Sequence, residues 1–392
     1  MNSFSKKINP ERILKASNKI AQTPAFVYDE SVVIDRLTAL SDVRSNSGCK
    51  ILYSIKAAPL SGLLQTIAEH VDGFSASSLF ECQIAKEILG GISGNKGTIH
   101  ITSPGLKEDD IKSIVHTADY ISFNSMNQWQ GYQGLVNGKL NSGLRLNPEM
   151  SFAKDERYDP CRKYSKLGVP VSEVANIKYL EGLQGFHIHN NCESHDYIEL
   201  KKTIDYVCNL IGSELETMQW INLGGGYFID DNKQLHELED IIKNLKEKYT
   251  LDVFIEPGKG IVGSSGFLVA SVVDLFESGG KQIAILDTTV NHLPEVFEYQ
   301  YKPHILQESP EGQYEYRLAG GSCLSGDLFG DYRLKKALEI GSRVIFKNVG
   351  AYMLVKANMF NGINLPTVNI LKSDEELVMQ KKYSYSDFRE KY

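Results

Sequence analysis

Between residues 51 and 256, strand-like and helix-like segments alternate eight times, and after about residue 262 the chain turns to short β-rich segments between Gly, Asp and Pro turns. The first pattern predicts a closed (β/α)8 TIM-like barrel, the second a separate β-sandwich or β-barrel domain. The strand-like runs are ILYSIK (51–56), DGFSAS (72–77), TIHIT (98–102), DYISFN (119–124), SGLRLN (142–147), LQGFHIH (183–189), MQWINL (218–223) and DVFIE (252–256). Most are separated by segments with apolar residues at three- and four-residue spacing, such as SGLLQTIAEH, SLFECQIAKEIL and LHELEDIIKNLKEKY. A doubly wound open sheet would show the same alternation. The count of eight, and the lack of a GxGxxG opening the first unit, favour the barrel. The expected domains are a barrel over 30–262 and a β domain built from 1–29 and 263–392, with TPAFVYDE giving it a strand from the N-terminal side. FLVASVVDLFES, KQIAILDTT, EYRLAGG, RVIFKNV and AYMLVK are its expected β segments, and the polar tail after Leu371 reads as loosely held.

The composition excludes several classes of protein. No apolar run approaches the roughly 20 residues of a membrane helix, and the opening residues lack a signal-peptide core. The six cysteines form no CxxC pair, which argues against a zinc ribbon or disulfide framework and fits a reducing cytosol. A net charge of −7 disfavours nucleic acid and is compatible with a small cationic substrate.

In a parallel barrel the strand C-termini converge on one rim, so the residues that end these runs can face one molecule. Lys56 ends the apolar run ILYSI; its amine could condense with a carbonyl cofactor, or it could be a lysine snorkelling at a strand end. Gly224, Gly225 and Gly226 follow MQWINL, where consecutive glycines let backbone amides approach a phosphate, although a tight turn needs only one or two. Glu256 ends the eighth run before Pro257 and could hold a proton on a pyridine nitrogen; it could equally be a surface glutamate before a turn. His187 and His189 alternate onto one face. An HxH pair can bind a metal, but His70, His116 and His236 fall on helices, so no metal is expected. His187 reads as a satisfied core histidine and His189 as a ring-stacking one. In the β region, GGSCLSGDLFGDYR sets Cys323, a candidate proton donor or a small buried hydrophobe, and Asp327, a candidate amine ligand, among glycines. Tyr352 could reach a phosphate or fill a β core.

Taken in order, YSIKA, GFHIHNNCES, NLGGGY, IEPGK, GSCLSGD and VGAYMLVK resemble the fold type III pyridoxal-phosphate decarboxylases, from about Thr23 to Ile370. RLNPEMS, HLPEVFEYQYKP, CLSGDLFGDYR and KANMFNG look most like the carboxynorspermidine decarboxylase branch. The resemblance implies an alanine-racemase-type barrel, pyridoxal 5'-phosphate as cofactor, and a cytoplasmic homodimer with shared active sites acting on a carboxylated polyamine. It matches Lys56 to the Schiff-base lysine, His189 to the histidine on the cofactor ring, Gly224 to Gly226 to the phosphate loop and Glu256 to the ring-nitrogen partner. By the same likeness Arg145 lies near the cofactor, Tyr352 touches the phosphate, Cys323 and Asp327 handle substrate in the other subunit, and Glu295 and Glu298 meet its distal amine. Two positions depart from the pattern. EPGK carries Lys259 where ornithine and diaminopimelate enzymes have arginine and the carboxynorspermidine branch has glutamate, and Asn191 stands where leucine is usual. Diaminopimelate or another amino acid is the alternative substrate. A metal-dependent barrel hydrolase and an inactive homologue that binds a protein partner are the alternatives of other classes.

Overall fold

Eight parallel strands close into a barrel in the unit formed by residues 34–261. They are Lys50–Ser54, Gly73–Ala76, Thr98–Ser103, Tyr120–Phe123, Asn141–Asn147, Gly185–Ile188, Trp220–Asn222 and Asp252–Ile255, the last pairing back onto the first. A two-residue strand, Val169–Pro170, pairs with the end of Asn141–Asn147. The computed structural model describes residues 9–92, 94, 97–153, 155–176, 180–229 and 232–392. The first eight residues of the opening segment, read above for a signal peptide, lie outside this set.

Strand periodicity stacks the interior of the barrel in layers, because register partners in parallel strands face the same way and every second residue faces inward. Gly143, Gly185 and Trp220 are register partners at the lower end. The indole fills the space both glycines leave: a Cβ on Gly143 would lie 2.3 Å from Trp220 Cη2, and one on Gly185 would lie 2.0 Å from Cδ2. His100, Tyr120 and Phe254 complete this apolar plug, with His100 stacked on Tyr120 at 4.0 Å between ring centres. Two residues further along the same strands, Arg145, His187 and Asn222 form the next row of partners. The layer beyond holds His189, Gly224 and Glu256, at the strand C-termini. Helices cover the outside by the usual rules: Ser78 and Ser125 accept from Glu81 and Gln128 amides to cap Leu79–Gly90 and Met126–Val136. Ile198–Leu215 buries Leu200, Ile204, Val207 and Ile211 on one stripe.

The second unit joins residues 9–33 to 262–392. Ala25–Asp29 is indeed one of its strands, antiparallel to Gly266–Ser278 and parallel to Thr367–Leu371. The 13-residue strand Gly266–Ser278 shifts register between Val272 and Asp274, so its first half pairs with Arg343–Lys347 and its second with Lys281–Leu286. Such a bulge lets one strand serve two stretches of a twisted sheet. Ile13 and Ala16 of the helix Pro10–Lys19 pack with Val27, Phe267, Val269 and Ile345 in its core. Two expectations fail here. The polar tail is ordered: Leu377–Lys381 pairs with Thr367–Leu371, and Tyr385–Arg389 is a helix begun by a Ser384–Asp387 capping box. AYMLVK is not a strand, because Tyr352 takes a left-handed φ of 66° and starts the helical turn Met353–Lys356.

Candidate active site

The barrel mouth collects the sequence-predicted residues of this unit. Lys56 sits on the 3-10 turn Ile55–Ala57 directly after its strand. The open bowl exposes the side chain to solvent, yet protein atoms crowd it. That crowding lowers the ammonium's pKa below the ordinary lysine value, with Glu256 opposing the shift and Arg145 adding to it. The amine is therefore closer to the neutral, nucleophilic form than a surface lysine. Glu256 is buried, and Asn222 Nδ2 donates to its Oε1 at 2.7 Å. Burial alone would raise this carboxyl, but the polar N–H edge of the His187 ring, Lys56 and the Asn222 hydrogen bond outweigh it and hold Glu256 ionised. Arg145 is also buried; its Nη2 donates to the His189 carbonyl at 3.4 Å, and its Nε has no partner among the described residues.

The glycines are a steric necessity. A Cβ on Gly224 would lie 2.5 Å from the Ile188 carbonyl oxygen, on Gly225 2.2 Å from that of Glu256, and on Gly226 2.2 Å from that of Asn191. Gly224 and Gly226 also take φ of 67° and 99°. Their amides are not equivalent. Gly224 N–H donates to Asn222 Oδ1 at 2.9 Å and Gly225 N–H to His189 Nδ1 at 3.1 Å, so of the three only Gly226 N–H has no partner among the described residues. The expected phosphate cradle thus has one available amide here, and the other two hold the site together. The bond from Gly225 also sets the His189 tautomer, leaving the neutral ring's proton on Nε2. Burial, then Lys56 and Arg145, keeps that ring neutral by lowering its pKa well below the usual value.

The departures from the family pattern lie on this rim. Lys259 pairs with Glu193, which has a left-handed φ of 58°. Asn191 Nδ2 donates to Glu199 Oε2 at 3.0 Å and its Oδ1 accepts from Cys192 N–H, so it pins the loop after His189. Sequence reasoning missed Asn222 and misread His187, which is buried with neither ring nitrogen hydrogen-bonded among the described residues. Both were findable: each is a polar residue at an inward position two places before the strand-end residue.

The remaining candidates cluster within the sheet unit. Cys323 is exposed, and its N–H donates to Asn361 Oδ1 at 2.9 Å. Asp327 is spent on the fold of its own loop. It is buried, with Oδ1 accepting from Val290 N–H at 2.7 Å and Oδ2 from Ser322 N–H at 3.0 Å and the Ser322 hydroxyl, so it braces the loop that presents Cys323. Glu295 and Glu298, on the helix Pro294–Tyr299, already share a cation: Lys356 Nζ lies 3.1 Å and 2.8 Å from them and 3.3 Å from the Tyr299 hydroxyl. Tyr352 starts the turn that carries Lys356; a left-handed φ at so bulky a residue is strain of the kind that accompanies function.

The barrel donor set fits pyridoxal phosphate: a depressed lysine amine, an ionised buried carboxylate, a neutral histidine ring, and a glycine cradle beside a buried arginine with an unpartnered nitrogen. Comparison with known proteins agrees. Residues 25–350 match the family model described as pyridoxal-dependent decarboxylase, C-terminal sheet domain. The chain is 35% identical over 385 residues to the carboxynorspermidine/carboxyspermidine decarboxylase of Campylobacter jejuni, covering 94% of this chain and 97% of that protein. It is 32% identical to the carboxyaminopropylagmatine decarboxylase of Synechocystis, with 94% of each chain covered. Among solved structures, carboxynorspermidine decarboxylase from Campylobacter jejuni complexed with norspermidine superimposes with a TM-score of 0.86 at 32% identity, covering 95% of this chain and all of that one.

Proposed function

The chain belongs to the pyridoxal-dependent decarboxylases, and we propose that it removes CO2 from a carboxylated polyamine, turning carboxynorspermidine or carboxyspermidine into norspermidine or spermidine. The observation that carries this reading is similarity over nearly the whole length to enzymes acting on such substrates. An acidic pair that already holds an ammonium, Glu295 and Glu298 around Lys356, supports a polycationic substrate.

Bound pyridoxal phosphate supplies an aldehyde for amine exchange and a ring that accepts the electrons left when the carboxylate departs. The chain's own residues make this productive. Lys56, its charge disfavoured by the protein around it, supplies the neutral amine that holds and then releases the aldehyde. Glu256, ionised and oriented by Asn222, keeps a proton on the ring nitrogen, which favours decarboxylation over the weaker electron withdrawal a racemase needs. His189, locked by Gly225, presents a neutral face for stacking. The Gly226 amide and Arg145 are the groups for phosphate. Cys323, on the loop that Asp327 braces, returns a proton to carbon. A cytoplasmic homodimer in which Cys323 of one protomer serves its partner's barrel belongs to the same reading.

The test is CO2 release from carboxynorspermidine, carboxyspermidine, carboxyaminopropylagmatine and diaminopimelate. The first two should give the highest kcat/KM. Preference for diaminopimelate or carboxyaminopropylagmatine would overturn the substrate assignment and leave the decarboxylase chemistry standing.

A further inference from the structure

We propose that His187 is a positioning residue for Glu256: a neutral imidazole whose Nε2–H, together with the Asn222 amide, fixes the carboxylate by both oxygens. The proposal rests on Glu256 being the group that faces the cofactor ring.

The row Arg145, His187, Asn222 crosses three adjacent strands in register, one layer below Glu256. Asn222 has a determined orientation, because its oxygen accepts from Gly224 N–H and its nitrogen must therefore be the donor to Glu256 Oε1. The other carboxylate oxygen, Oε2, has no hydrogen-bond donor among the described residues. His187 Nε2 lies 3.5 Å from it, and that nitrogen has no acceptor of its own. An ionised oxygen without a donor and a buried ring nitrogen without an acceptor are each unfavourable alone. An approach of about half an ångström satisfies both, the kind of tightening that sites undergo when loaded.

The surroundings select the neutral ring. His187 faces Arg145 on one neighbouring strand, Lys56 across the mouth, His189 two residues on, His100 from the layer below, and Glu256 as the anion opposing them. Burial, helped by Arg145 and Lys56, lowers its pKa despite Glu256. A neutral ring donating through Nε2 leaves the Glu256 charge free to act on the cofactor; an imidazolium would neutralise it.

Two variants separate this role from simple space-filling. His187→Leu keeps the volume and loses the donor; His187→Gln keeps a donor. In the loaded enzyme, His187→Leu should bind cofactor, lower kcat about ten- to a hundredfold with little change in KM, and displace the pH titration of the visible absorbance band, while His187→Gln restores most of both. Wild-type kcat and an unmoved titration in His187→Leu would overturn the proposal. Should the leucine variant not fold, nitrogen-15 NMR of histidine-labelled wild-type protein without cofactor decides. A proton on Nε2 and a bare Nδ1 from about pH 6 to 9 is the expected result, and an imidazolium or the opposite tautomer would refute it. Full activity in Glu256→Gln would instead sink the reading of Glu256, with the NMR result still deciding the His187 tautomer.

Discussion

The barrel mouth and the loop cluster of the sheet unit hold similar kinds of residue but prepare them differently. In the mouth, Lys56, His189 and Glu256 are set by strand ends, crowded by one another, and shifted in acidity by their neighbours. In the sheet unit, Asp327 is consumed by three internal donors and the Glu295–Glu298 pair by Lys356, while Cys323 stands exposed. Strand ends of a closed barrel place reactive groups before any ligand arrives. Loops must first stabilise themselves, and much of their polar complement goes to that.

The largest expected effect lies in the mouth. Lys56→Ala should lower CO2 release by several orders of magnitude, since the other rim amine, Lys259, is held by Glu193, and should abolish the absorbance of the lysine-linked cofactor. Unfolding in urea should scarcely change, because that side chain is solvent-exposed and makes no hydrogen bond among the described residues. An active Lys56→Ala enzyme would erase the contrast between the two regions.

An intermediate effect, of another kind, belongs to the sheet unit. Asp327→Ala strands the amides of Val290 and Ser322 in a buried loop, so it should cost about 2–4 kcal/mol in urea unfolding, and Asp327→Asn less because one acceptor oxygen remains. A raised KM with an unchanged unfolding midpoint would return Asp327 to the substrate and break the comparison.

That asymmetry also explains what the amino-acid sequence made legible. All eight barrel strands and the strand-end positions of Lys56, His189, Gly224 and Glu256 follow from alternation and from where apolar runs stop. The row Arg145, His187, Asn222 was partly hidden, because register across strands fixes which residues are neighbours and a single strand does not show it. Asp327 and Lys356 were hidden for a different reason. One partner of Asp327 lies 37 residues away and those of Lys356 about 60, and a carboxylate that accepts from backbone amides looks in sequence like one waiting for a ligand. The tail misled through composition alone: its strand is an edge strand, whose exposed positions tolerate polar residues.

The smallest expected effect tests whether Lys356 is a brace or a stand-in. Its ammonium lies among Glu295, Glu298 and the Tyr299 hydroxyl, and those neighbours raise its pKa against the opposing cost of partial burial. It therefore stays charged throughout the working range and satisfies the acidic pair whether or not substrate is present. Because the pair is partly open to water, Lys356→Gln should change stability by less than about 1 kcal/mol. If the pair is where a substrate ammonium docks, removing its internal competitor should lower KM for the polyamine substrate by a few-fold with kcat unaltered, and Glu295→Gln should move KM the opposite way. A loss of stability with no change in KM would make Lys356 a structural counterion, and the acidic pair would then stabilise the sheet unit as Asp327 does.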